Sequence, residues 1–87
     1  MATNKSWVVY ILRCSDDTLY TGITDDLSKR MKAHSEGKGA KYTRGRTPLT
    51  LCYREHCADK SAALRREIEI KKLSRKDKLS LIDKGKL

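Results

Sequence analysis

Residues 7–14, WVVYILRC, constrain this chain more than any other stretch. The run is β-rich and stays apolar on both faces until Arg13. Such a strand is covered on both sides and belongs at the centre of a sheet. Turn chemistry follows at once in Ser15-Asp16-Asp17, and then a second strand at residues 18–24, TLYTGIT. A helix start at Thr24 or Asp25 closes the hairpin.

Loop length decides which side chains share a face. A two-residue Asp16-Asp17 loop pairs Cys14 with Leu19 and Tyr10 with Ile23, sending Tyr10 and Tyr20 to opposite faces. A three-residue loop pairs Cys14 with Thr18 and Tyr10 with Gly22. Both tyrosines then lie on one face as diagonal neighbours, roughly 7–8 Å apart at the backbone. The longer loop needs a left-handed residue at its end, and Asp17 tolerates that conformation better than most. Gly22 opposite Tyr10 leaves space for a substrate backbone to approach.

The first helix is expected over residues 26–36, ending at Gly37. Its periodicity puts Leu27, Arg30, Met31 and His34 on one arc, with Ser28, Lys29 and Lys32 opposite. Arg30 and His34 therefore border the buried stripe, one turn apart. Residues 37–48, GKGAKYTRGRTP, form a long loop carrying Lys38, Lys41, Arg44 and Arg46, no acid, and Tyr42 among them. So long a loop in a short chain is usually functional. Residues 49–57, LTLCYREHC, make a third strand with Leu49, Leu51 and Tyr53 alternating. Asp59 caps a second helix over residues 60–73, on which Glu67 falls between Ala63, Leu64 and Ile70, while Glu69 lies toward Arg65 and Lys72. Ser74 to Asp77 resembles a capping box for a last helix bearing Leu79, Leu81 and Ile82. The order is ββαβαα, an α+β domain with a small, mainly antiparallel three-stranded sheet.

With 87 residues the chain is expected to be one domain, 1–87, with its core at about 6–82. A net charge of +9 on so small a domain points to a polyanion, most simply nucleic acid; the bland alternative is a solvated basic surface. No apolar run suits a signal peptide or a membrane span. Cys14, Cys52 and Cys57 lie in apolar, strand-like segments without a C-x-x-C pair. They read as buried thiols of a reducing, cytoplasmic protein, and their spacing fits no zinc motif.

Phosphodiester cleavage needs an activated water, a stabiliser of developing negative charge and often a divalent cation. Tyr10 and Tyr20 are candidate proton acceptors if their pKa values are lowered by a nearby cation. Arg30 suits bidentate phosphate contact. Glu67 suits a hard cation such as magnesium. Each has a plainer reading: tyrosines packing, Arg30 pairing with Asp26, Glu67 pairing with Lys71, His34 settling a helix end, Tyr42 plugging its loop onto the core rather than stacking on a base.

Taken together these residues resemble the GIY-YIG nuclease superfamily. Val8-Val9-Tyr10 stands at the GIY element and Tyr20-Thr21-Gly22 at the YIG element. Arg30 and His34 match the helix positions that follow, and Ala63-Leu64-Arg65-Arg66-Glu67 matches the segment presenting the metal-binding glutamate. The stretches GKGAKYTRGR and ALRREIEIKKLSR resemble the small stand-alone bacterial branch, whose members are mostly uncharacterised. Two departures stand out: only the tyrosine of the GIY element is kept, and Thr21 replaces the usual apolar residue of YIG. The resemblance implies one-metal hydrolysis of a phosphodiester bond, with Mg2+ or Mn2+ on Glu67. It implies Arg30 on the transition-state phosphate, one tyrosine assisting the attacking water, the other positioning phosphate or water, and His34 tuning or orienting either. Lys38, Lys41, Tyr42, Arg44 and Arg46 are the expected nucleic-acid contacts, to DNA before RNA. The resemblance leads us to expect no counterpart, within these 87 residues, of the extra DNA-binding domain that larger relatives carry. The competing classes are a non-catalytic nucleic-acid-binding module of the same fold and a small protein-interaction domain, the latter disfavoured by charge clustered in the 38–46 loop.

Overall fold

The computed structural model describes residues 7–38, 43 and 45–85. Six elements follow in the expected order: β1 (Trp7–Arg13), β2 (Leu19–Thr24), α1 (Leu27–Ser35), β3 (Thr50–Cys57), α2 (Lys60–Lys71) and α3 (Arg75–Lys84). The sheet order is β2-β1-β3, with both pairings antiparallel. β1 is central because it alone has no polar face: Val8 through Leu12 are all buried. Every helix starts on a capping side chain. Asp26 accepts from the Lys29 amide, Asp59 from Ala62 and Ser74 from Asp77, contacts worth about 1 kcal/mol each.

The hairpin takes the three-residue register. Tyr10 pairs with Gly22, the Cys14 amide donates to the Thr18 carbonyl at 2.8 Å, and Asp17 adopts φ 67°. The two faces of β1 consequently do different things. Val9 and Ile11 pack with Tyr53, Ala63 and Ile70, with Leu19, Ile23, Leu81 and Ile82 around them, so α2 and α3 cover that face. The opposite face carries Tyr10 and Tyr20, which meet His34 of α1.

Two expectations need correction, both on β3. Only Cys14 is buried; Cys52 and Cys57 are half-buried, because β3 is an edge strand with one side unpaired. All three thiols are free. The strict alternation of Leu51 and Tyr53 is also broken. Ile11 pairs with Tyr53 but Leu12 pairs with Leu51, leaving Cys52 as an extra residue. A bulge of that kind turns the residues on either side of it to opposite faces. Among the described residues, no helix is long and apolar enough to cross a membrane.

Candidate active site

Tyr10 stands in the middle of the central strand and is fully buried. On its face the sheet presents Tyr20 from β2, and the C-terminal half of α1 lays His34 against both. Ring centroids are 6.4 Å apart for Tyr10 and Tyr20, 5.9 Å for Tyr10 and His34, and 5.6 Å for Tyr20 and His34. The contacts are edge-on or tilted, the geometry aromatic quadrupoles favour. The Tyr10 hydroxyl lies 2.9 Å from His34 Nε2, and His34 Nδ1 lies 3.0 Å from the Thr43 hydroxyl. His34 and Thr43 are as inaccessible as Tyr10.

Gly22 is what lets the Tyr10 ring sit there. A Cβ on Gly22 would lie 2.6 Å from the Tyr10 hydroxyl and 2.8 Å from its Cζ. The space that the sequence reserved for a substrate backbone is thus filled by the phenol itself, because the directly opposed residue reaches it first. Gly22→Ala is expected to destabilise the fold by about 1–3 kcal/mol through overpacking. A lower urea midpoint at unchanged slope is the readout.

Charge converges on Tyr10. Burial pushes its phenol above the ordinary value, a hydrogen bond from Arg30 pulls it back, and the charges of Tyr20 and Glu67 push it up again. The phenol is therefore protonated at neutral pH. Arg30 is in turn held by Tyr10 and, more weakly, by Tyr20, which raise its already high pKa. Burial, then the Arg30 charge, push His34 below its ordinary value, so its imidazole is neutral. Arg30 Nε is buried and has no hydrogen-bond partner among the described residues. An unsatisfied buried donor costs about 1–3 kcal/mol, which an anionic oxygen would offset.

Glu67, on α2, acts on Tyr10 through its charge, the weakest of the influences on that phenol. Its side chain is 17% exposed against 66% for Glu69, the division the helix periodicity predicts. It also pairs with Lys71 at 3.3 Å, as the plainer reading had it. Such an exposed-partner pair is worth only about 0.3–0.5 kcal/mol, little hindrance to exchange for a cation. Among the described residues no group of three or more His, Cys, Asp or Glu side chains is placed to hold a metal ion. A single sheltered carboxylate fits magnesium, which keeps most of its waters and takes one or two carboxylates beside substrate phosphate. It does not fit zinc.

The basic loop is divided. Lys38 is exposed just beyond α1. Lys41, Tyr42 and Arg44 lie outside the described residues. Arg46, also expected on nucleic acid, is ion-paired with Asp16 of the hairpin turn, and its carbonyl accepts from the Ser15 amide at 2.8 Å. It ties the loop to the hairpin. The residue sequence reasoning missed is Thr43. Nothing in a run of Gly, Lys and Arg marks one threonine as buried.

Comparison with known proteins fits this geometry. The GIY-YIG catalytic domain matches residues 6–80, and the chain belongs to that family. Its relatives are small UPF0213 proteins. One from Clostridium perfringens is 58% identical over 74 residues, covering 85% of this chain and 80% of the relative. Another, from Haloquadratum walsbyi, is 52% identical over 82 residues, covering 94% and 92%. Two solution structures share the fold. A UPF0213 protein of Bacillus halodurans has a TM-score of 0.59 at 47% identity, over 90% of this chain and 83% of that one. A protein of E. faecalis has 0.65 at 35% identity, over 97% and 90%. The family is one of nucleases, which act on nucleic acid and generally use a divalent metal.

Proposed function

We propose that this protein is an endonuclease that hydrolyses phosphodiester bonds, of DNA before RNA, with one divalent cation. The observation that carries this is the convergence on Tyr10: Arg30, Tyr20 and Glu67 all act on that one phenol. Four elements, β1, β2, α1 and α2, supply a phosphate-binding fork, two phenols and a carboxylate, the groups hydrolysis requires.

Each residue has a distinct task. Arg30 holds the scissile phosphate, with Nε as a donor not committed to the described protein. Tyr20 is only half-buried and accepts a hydrogen bond from the attacking water. Tyr10 is fully buried and protonated, so it serves to position Arg30 and the reacting groups rather than to take a proton. Glu67 holds the cation, magnesium or manganese, which when bound supplies positive charge toward the leaving oxygen. Lys38, Lys41 and Arg44 grip the backbone, Tyr42 stacks on a base, and Arg46 keeps the loop in place.

The test is a cleavage assay on single-stranded, duplex and branched DNA and on RNA, with magnesium, manganese or chelator. Divalent-dependent chain scission is expected on at least one substrate. Binding without scission on all of them identifies a binding module instead.

A further inference from the structure

We propose that Arg54 of β3 is a second phosphate contact, holding the nucleic-acid backbone beside the scissile bond where the strand crosses the sheet toward its β3 edge. The inference rests on the nuclease reading above for the reaction, and on the sheet alone for the place of Arg54.

Directly opposed residues of an antiparallel pair point to the same side of the sheet. Tyr10 pairs with Gly22 on β2 and with Arg54 on β3. Arg54 therefore stands on the face of the candidate site, one strand over from Tyr10 and roughly 5 Å away at the backbone. His56 opposes Val8 on that same face. The Tyr10 ring leans the other way, with its hydroxyl and Cζ above Gly22, and Tyr20 and His34 meet it there. The β3 half of the face is left open, and Arg54 and His56 are both exposed on it.

Charge is sorted between the two sides of β3. Glu55, the one acid of the strand, opposes Val9 on the α2 side, where both its oxygens accept from Arg66 Nε. Arg13, Arg46, Arg66 and Arg75 are each paired with an acid of this chain. Arg54 makes no ion pair or hydrogen bond among the described residues. An exposed arginine elsewhere is simply hydrated; the register of this one sets it beside the phenol on which the candidate site converges. A guanidinium so placed suits a phosphate, whose oxygens it grips with two N–H groups at once. A strand with its scissile phosphate at Arg30 and its next phosphate at Arg54 spans the sheet across Tyr10. Arg54 then holds the substrate equally before and during reaction, so it acts on KM rather than kcat.

The experiment measures binding of fluorescent single-stranded and duplex DNA, and of RNA, to the full chain in chelator across a salt series, then cleavage with magnesium or manganese. Arg54→Ala is expected to weaken binding about three- to tenfold and to reduce the salt slope by about 0.7–0.9, the share of one phosphate. KM should rise as affinity falls, with kcat at saturation within about twofold of wild type. Arg54→Lys keeps the charge and should recover the slope and most of the affinity. Arg65→Ala is the matched control: Arg65 is exposed on α2, which covers the other side of the sheet, and its loss should change neither quantity. Wild-type affinity and slope in Arg54→Ala overturn the inference. So does a loss no larger than that of Arg65→Ala, which makes net charge the cause, or a fall in kcat at unchanged KM. A wild-type chain that binds none of the three probes overturns it as well. If wild type binds but cuts nothing, the binding series alone decides on Arg54, and only the nuclease reading fails.

Discussion

Glu67→Gln is expected to lower divalent-dependent cleavage by about 10²–10³-fold in kcat while leaving nucleic-acid affinity nearly intact. The amide keeps the size and polarity of the side chain but lacks the charge a hard cation needs. In the proposed function affinity comes from the basic loop, not from this carboxylate. Glu69→Gln is the matched control, since Glu69 is 66% exposed and engages Arg66 at 3.4 Å rather than the ring cluster. A cleavage assay across a magnesium or manganese titration distinguishes the two variants. Equal behaviour of both removes Glu67 from the role of metal ligand.

The Glu67–Lys71 pair does not explain such a loss. Lys71 is 53% exposed, so breaking the pair changes stability by about 0.3–0.5 kcal/mol. A rate loss of 10²–10³ corresponds to about 2.7–4 kcal/mol of transition-state energy. The two effects differ by almost an order of magnitude. A variant that folds normally yet has lost cleavage to that extent has lost a contact made to the reacting groups.

Parity made much of this site legible. Once the hairpin loop has three residues, Tyr10 and Tyr20 must share a face and Gly22 must oppose Tyr10, as they do. Helix periodicity likewise sheltered Glu67 and exposed Glu69. These are local rules acting over a few residues. What escaped them depends on contacts distant in sequence. The Arg46–Asp16 pair joins residues thirty positions apart, and no charge pattern within the loop reveals it. The Tyr10 phenol filling the place above Gly22 depends on ring packing across two strands, not on pairing alone. Cys52 became the extra residue of a bulge although residues 49–57 show no break in their β pattern. Thr43 is the sharpest case: a polar residue in a basic loop is buried beside His34, which in turn meets Tyr10 of the central strand.

Arg30→Lys should separate stability from activity in opposite directions. The substitution keeps the positive charge but removes Nε and the planar fork. Nε is buried and lacks a hydrogen-bond partner among the described residues, so the folded protein loses little with it. The urea midpoint is expected to stay level or rise, because an unsatisfied donor worth about 1–3 kcal/mol of penalty is gone. Lysine still places an ammonium near Tyr10 and Tyr20, so the sheet face keeps its charge balance. Cleavage is expected to fall about 10²-fold, since a point charge does not grip two phosphate oxygens at once. Urea unfolding and single-turnover cleavage on the same preparation check both halves. A parallel fall in stability and rate assigns Arg30 to the fold alone. A rate left near wild type removes it from the phosphate. Only retained stability with lost turnover fits a guanidinium whose buried nitrogen is held ready for an anion.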